Sequence, residues 1–139
     1  MMTPAKPALQ DPPVPRRVQL SAVWASLTFC YLYGDYFGLY KPGKLQHMLD
    51  GAGPVGPVSQ SSLLWVAMLL VVPGLMAFLS LVLPSAVTRW LNIGLALFYA
   101  VFVAITMPGA WWFYLAYSSI EILLCGVIVW LAWRWPKLR

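Results

Sequence analysis

The sequence predicts an all-α integral membrane protein, a four-helix bundle with a short interfacial helix in its first outer loop. Three observations lead to this fold class. Hydrophobic residues make up 61% of the 139-residue chain and charged residues only 9%, whereas soluble domains carry about 25% charged residues. Four apolar stretches are long enough to span a bilayer. Lys and Arg lie at the ends of these stretches, which is typical of membrane proteins.

The chain begins with a proline-rich tail over residues 1–17, which has no aromatic residue and no apolar period. This composition predicts a disordered cytoplasmic tail. A transmembrane domain is expected over residues 18–136, followed by a short basic cytoplasmic tail at 137–139.

The transmembrane domain contains four apolar stretches, each predicted to be a helix. At a rise of ~1.5 Å per residue, their lengths match the ~30 Å hydrocarbon core of a bilayer. They must be helical, because lipid offers no hydrogen bonds to an unpaired backbone. The predicted helices are residues 18–40, 62–83, 90–107 and 111–133.

The first outer loop is expected to contain a short helix over residues 42–50. Pro42 stands near its start and Gly51 follows its end, which is the usual distribution of these two residues. The apolar side chains of this segment share one face, so we expect it to lie at the membrane interface.

The basic residues predict the orientation. Lys41 and Lys44 are the only two on one side, and an excess of Lys and Arg marks the cytoplasmic side. Both termini and a loop over residues 84–89 are therefore expected in the cytoplasm, in a multi-pass protein of the plasma membrane. The residues expected there are Lys6, Arg16, Arg17, Arg89, Arg134, Lys137 and Arg139.

Several function classes are disfavoured by composition. The cations are spread over helix ends instead of forming one basic surface, which argues against nucleic-acid binding. Cys30 and Cys125 lie in apolar runs at different depths, so we expect two free thiols. His47 is the only histidine and is expected at the surface, so no metal site and no cofactor is predicted. Conventional catalytic motifs are absent, which favours a non-enzymatic role.

Glu121 is the deeper of two acids in the predicted spans. A charge at mid-helix costs about 2.5–3.5 kcal/mol, so its presence needs a reason. It shares a helix face with Tyr117 and Ser118. One interpretation is a carboxylate that handles protons or ions. The other is a protonated side chain that hydrogen-bonds a neighbouring helix.

Asp35 lies nearer the outer edge, on a face with Tyr31. It could form one wall of an outward-facing polar pocket. Alternatively, its carboxylate could reach interfacial water, Lys41 or Lys44. Asp35 and Glu121 differ in expected depth by about 7 Å, which argues against a proton shared directly between them.

Small residues predict close helix packing. Gly34 and Gly38 form a GxxxG motif, and Ala96, Ala100 and Ala104 form a ridge in the third span. Such ridges allow helix backbones to approach closely, either inside the bundle or between copies of the chain.

Two further residues are singled out within the spans. Pro73, in the middle of the second span, removes a backbone hydrogen bond and predicts a kink. Asn92 is expected to form an interhelical hydrogen bond.

Several short runs resemble an uncharacterised family of small four-helix bacterial inner-membrane proteins. The resemblance covers about residues 18–136 and is similar only in outline to the DoxX-like group. It implies architecture and a bacterial inner membrane, and it brings no activity, cofactor or catalytic residue. The runs are Tyr33-Gly34-Asp35, Pro42-Gly43-Lys44-Leu45, Leu83-Pro84, Arg89-Trp90-Leu91-Asn92 and Trp130-Leu131-Ala132-Trp133-Arg134-Trp135-Pro136.

Two functions from different classes are consistent with these features. The first is an accessory or structural subunit of a membrane complex, or a self-associating protein, favoured by short loops and small-residue ridges. The second is a small proton- or ion-coupled transporter or channel that uses Glu121 and Asp35, favoured by those acids and by Pro73. A membrane enzyme acting on lipid or quinone has the least support.

Overall fold

The computed structural model describes residues 11–136. Over this range it forms five α-helices and confirms the predicted all-α class. The first ten residues of the proline-rich tail and the basic segment 137–139 lie outside the described residues. The helices are α1 (Arg16–Gly38), α2 (Lys44–Leu49), α3 (Gln60–Val82), α4 (Ser85–Thr106) and α5 (Trp112–Trp133).

Three of the helices, α3, α4 and α5, are long and apolar enough to cross a membrane. They confirm a multi-pass membrane protein with three candidate spans. α1 is 23 residues long but is not among these candidates. Its two arginines and Asp35 make it more polar than the other long helices. A fourth span in α1 therefore remains a prediction.

The connection between α3 and α4 is shorter than the sequence suggested. The prediction of a loop over residues 84–89 is wrong, because α3 ends at Val82 and α4 already begins at Ser85. Pro84, with φ −56°, is the N-cap of α4. The fixed φ of proline is compatible with this extended N-cap conformation, and the missing amide hydrogen removes no helical hydrogen bond here. Leu83 and Pro84 alone join the two helices.

The ends of α2 and α3 follow from local chemistry. α2 confirms the predicted short helix, and Gly43 precedes it with φ +77°, a conformation that glycine adopts at little cost. α3 begins with a reciprocal capping box in which the Ser59 side chain accepts from the Ser62 amide and Ser62 accepts from the Ser59 amide. The interfacial position of α2 remains a prediction.

The four long helices form a bundle in which α1 packs against α3 and α5, and α4 packs against α5. α3 and α4 touch much less, although they are joined by two residues. Large apolar side chains also cover the outside of the bundle, as expected for a surface in contact with lipid. The buried core consists of Leu20, Trp24, Leu27, Met76, Ile93, Ala96, Tyr99, Cys125, Ile128, Leu131 and Ala132.

Arginines join four helix ends at one end of the bundle. Arg17, at the start of α1, donates to the carbonyl of Leu83 at 2.6 Å, just after α3 ends. Arg89, near the start of α4, donates to the carbonyl of Trp133 at the end of α5 at 3.4 Å. The long helices therefore alternate in direction, and the first and last helix ends lie together. We call this the arginine end.

A buried polar network lies in the half of the bundle nearer the arginine end. The indole nitrogen of Trp24 in α1 donates to Oδ1 of Asn92 in α4 at 2.6 Å. The Asn92 amide nitrogen lies 3.3 Å from the hydroxyl of Ser80 in α3 and donates to the carbonyl of Thr88 at 2.7 Å. The network confirms Asn92 as an interhelical hydrogen-bonding residue.

Pro73 lies buried within α3, and the helix continues through it. Proline has no amide hydrogen, so the carbonyl of Leu69 four residues earlier loses its helical donor. The hydroxyl of Tyr99 in α4 donates to this carbonyl. The predicted kink remains a prediction, and the backbone defect that motivated it is hydrogen-bonded from outside the helix.

Candidate functional site

The four long helices enclose a small polar cavity of about 70 Å³. A water molecule occupies ~30 Å³ in the liquid, so the cavity has room for a few waters or one small ion. It lies in the half of the bundle away from the arginine end, and seven of its eleven lining residues carry a hydroxyl or carboxyl group. The lining residues are Tyr31, Gly34, Asp35, Leu70, Tyr99, Phe102, Val103, Thr106, Tyr114, Tyr117 and Glu121.

Both acids of the spanning region line this one cavity. Glu121 lies deep, with 5% of its surface exposed. Asp35 lies at the cavity's edge and is exposed on the surface of the bundle. The two residues come from α5 and α1, so the packing of these helices brings together side chains that are 86 positions apart in the sequence.

Gly34 makes room for the Glu121 carboxyl group. A Cβ atom at Gly34 would lie 3.9 Å from Oε1 of Glu121 and 4.0 Å from Cβ of Tyr117. The carboxyl group therefore packs directly against the backbone of α1. A longer side chain at position 34 would occupy the same space as Glu121.

The cavity hydroxyls differ in their hydrogen bonding. Tyr99 donates to Leu69, and the hydroxyls of Thr106 and Tyr114 are 2.9 Å apart. The buried hydroxyl of Tyr31 has no partner in the part of the chain that the structure describes. Within the same part, no side-chain hydrogen bond reaches Glu121. The interpretation in which a protonated Glu121 hydrogen-bonds a neighbouring helix stays a prediction.

Ser118 lies apart from the cavity. It is fully buried, and its hydroxyl has no partner among residues 11–136. It shares a helix face with Glu121, as the sequence indicated, but it is not among the cavity's lining residues. The structure thus brings Glu121, Asp35, Tyr117 and Tyr31 together and leaves Ser118 outside.

The Lys41 side chain points toward aromatic rings. Its ammonium nitrogen lies 5.7 Å from the ring centre of Trp111 and 5.9 Å from that of Phe113, within cation–π range. These residues line a second cavity of about 360 Å³, which shares Tyr117 with the polar cavity. Tyr117 therefore separates an aromatic pocket from the acids.

The small residues differ in how tightly they are packed. Gly34 and Ala96 are buried, and Ala100 packs against the core. A Cβ atom at Gly38 would meet nothing within 4 Å, and Ala104 is exposed. Of the two glycines of the GxxxG motif, Gly34 therefore lies at a contact between α1 and α5, and Gly38 does not.

Tyr99 and Thr106 are cavity residues that sequence reasoning missed. They are seven positions apart on α4 and thus lie on one helix face. That spacing was visible in the sequence, although it did not show that this face meets Glu121.

Residues 11–136 contain no group of three or more His, Cys, Asp or Glu side chains that could hold a metal ion. Cys30 and Cys125 are both free, as predicted.

Comparison with known proteins gives a family and no activity. The model of a family of unknown function, DUF6326, matches residues 13–139. No curated protein and no solved structure matches the chain. The match confirms the expected resemblance to an uncharacterised family, while the likeness in outline to DoxX-like proteins remains a prediction.

Proposed function

The chain belongs to this family of unknown function, and we propose that it is a small membrane transporter or channel that binds a proton or monovalent cation at Glu121 and Asp35. One observation carries the proposal. Glu121, which is nearly fully buried, and Asp35, which is exposed, line the same polar cavity between the long helices.

The cost of burying a charge supports this proposal. An isolated carboxylate inside a membrane is strongly disfavoured unless it gains a proton or a cationic partner. Glu121 has no Lys or Arg among the residues that line its cavity. A proton or small cation entering from the Asp35 side would supply the missing partner, and hydroxyl oxygens of the cavity tyrosines would complete its coordination.

The size of the cavity limits the ligand. About 70 Å³ accommodates a proton carried by water or a single small ion, and it excludes larger organic solutes. A divalent transition metal would require more acidic, histidine or cysteine ligands than the described residues bring together.

The proposal includes an orientation in which all four long helices span the bilayer. The arginine end gathers Arg16, Arg17, Arg89 and Arg134, so the positive-inside rule puts it in the cytoplasm. Both termini are then cytoplasmic, and the polar cavity lies in the outer half of the membrane.

Cysteine labelling tests this orientation. In a background with Cys30→Ser and Cys125→Ala, Val14→Cys should react with a membrane-impermeant maleimide only after cell lysis. Val55→Cys, in the loop after α2, should react in intact cells. Labelling of both positions from the same side would contradict four spans.

Transport is tested with purified protein in liposomes that contain a pH-sensitive dye. We expect proton or cation flux with the wild-type chain, little flux with Glu121→Gln and reduced flux with Asp35→Asn. Asp50→Asn is the matched control, because Asp50 is an exposed acid in the outer loop. Equal flux in wild type and Glu121→Gln, or no flux above empty liposomes for any ion, would overturn the proposal.

A subunit or self-associating role is the second candidate. The exposure of Ala104 supports it, since this member of the small-residue ridge is uncovered within residues 11–136. Purification in mild detergent should then give a complex, with a partner or with further copies of the chain, in a fixed stoichiometry. Ala104→Leu should reduce the amount of this complex. Ala67→Leu, on an exposed position of α3, is the control.

A further inference from the structure

A wide groove separates α3 from α4 in the half of the bundle away from the arginine end. Its volume is about 760 Å³, within the ~300–1,000 Å³ of typical ligand sites. It exists because the two helices meet at the turn of Leu83 and Pro84 and diverge beyond it. The lining residues are Val55, Ser61, Ser62, Trp65, Val66, Met68, Leu69, Val72, Leu95, Phe98 and Tyr99.

The walls of the groove change in character along its length. Ser61, Ser62 and the exposed ring of Trp65 lie at its outer end, where α3 begins. Beyond them the walls are apolar, with Met68, Val72 and other side chains of this type. Hydroxyl groups therefore lie at the outer end of the groove and apolar groups lie beyond it, which matches the head group and acyl chains of a membrane lipid.

The length of the groove corresponds to one leaflet. From Ser61 to Val72 the groove follows α3 for eleven residues, or about 16 Å at ~1.5 Å per residue. Half of a ~30 Å hydrocarbon core is about 15 Å. A helix from a second chain would need a groove along the whole span, whereas this one ends at Val72 and Leu95.

We propose that the groove between α3 and α4 is a binding site for one phospholipid of the outer leaflet. One of its two acyl chains lies between Leu69 and Leu95, and its head group lies near Ser61 and Trp65. The flanking helices are both candidate spans, so the groove opens into hydrocarbon. An empty groove would forfeit dispersion contacts, and water is disfavoured against apolar walls.

The bound acyl chain fills the space in which α3 and α4 make few side-chain contacts with each other. It passes the ring of Tyr99, which also lines the polar cavity. The lipid thereby keeps the two helices at a fixed separation and covers one side of Tyr99. This site does not depend on the proposed transport, but its place in the outer leaflet rests on the proposed orientation.

Filling the groove with protein tests the site. Leu95→Trp places an indole ring in the groove, whereas Leu97→Trp changes an exposed position on another side of α4. Native mass spectrometry in mild detergent should show one retained phospholipid on wild type and Leu97→Trp, and loss of it on Leu95→Trp. Adding back phosphatidylglycerol or phosphatidylethanolamine after delipidation should raise the melting temperature of wild type and Leu97→Trp but not of Leu95→Trp.

Retention of the same phospholipid by Leu95→Trp would overturn the proposal. If that variant does not fold, photo-crosslinking of the wild-type protein tests the proposal instead. This protein is reconstituted with phosphatidylethanolamine carrying a diazirine on its acyl chain and irradiated. Adducts concentrated at Met68, Leu69 and Phe98 support the site. Adducts spread evenly around the bundle would contradict it.

Discussion

The hydroxyl of Tyr99 donates a hydrogen bond to the carbonyl of Leu69, the acceptor that Pro73 leaves without a donor. A helix in lipid has no water to satisfy such a carbonyl, so the partner must come from the protein. Tyr99 supplies it from α4. This bond connects two helices that otherwise touch little, and it lies between the groove and the polar cavity.

Tyr99→Phe should destabilise the bundle by about 0.6 kcal/mol, the average measured for interhelical hydrogen bonds in a membrane protein, and by at most about 1.7 kcal/mol, the largest value measured. The physical reason is that the Leu69 carbonyl then has no donor. The free energy of unfolding in mixed micelles measures the loss.

The control for this prediction restores the missing amide. In Pro73→Ala the backbone of α3 can donate to Leu69, so Tyr99→Phe should cost less in that background than in wild type. A double-mutant cycle with no coupling would show that Tyr99 does not compensate for Pro73.

Asn92→Leu should cost about 1–3 kcal/mol, because the buried indole N–H of Trp24 loses its acceptor. Ser80→Ala should cost less, since Ser80 and Asn92 are separated by a longer 3.3 Å contact. Chemical unfolding of the two variants measures the difference. An equal or greater loss in Ser80→Ala would contradict this order.

Arg17→Ala should destabilise the protein by about 0.3–2 kcal/mol through loss of a cation at a helix C-terminus. Arg17 donates to the carbonyls of Ser80, Leu81 and Leu83 around the end of α3. Arg17→Lys should recover part of the loss, because lysine keeps the charge without the fork of donors. Thermal unfolding in detergent measures both variants.

Arg16→Ala is the matched control, because Arg16 hydrogen-bonds only Gln19 in the adjacent turn among the residues described. Equal losses of stability in Arg16→Ala and Arg17→Ala would show that helix capping does not explain the effect at Arg17.

Gly34→Leu should block the proposed flux, because its side chain would enter the space of the Glu121 carboxyl group. Such overpacking also costs about 1–3 kcal/mol. Gly34→Ala should remain active, since its Cβ would make an ordinary contact at 3.9 Å. The liposome assay measures flux, and melting temperature reports the fold.

Gly38→Leu provides the comparison within the same GxxxG motif, because nothing lies within 4 Å of a Cβ at Gly38. Its flux should match that of wild type. Loss of flux in Gly38→Leu but not in Gly34→Leu would contradict the assignment of the cavity.

Local signals predicted the helical elements well where chemistry acts over a few residues. Gly43 and Gly51 bracket α2, and both have positive φ values. The exception is the start of α4. There the polar residues Ser85, Thr88 and Arg89 suggested a loop, but the helix begins directly after Pro84. Their polarity reflects the arginine end of the bundle and not an absence of helix.

By itself, the sequence determined that this chain is helical and apolar enough for the membrane, because hydrophobicity and helix signals depend on neighbouring residues. It also identified Glu121, Asp35 and Pro73 as unusual. Only the tertiary structure decided that both acids line one cavity, that Tyr99 hydrogen-bonds Leu69 and that α3 and α4 diverge. These features depend on which helix faces meet, and that choice arises from packing between residues far apart in the chain.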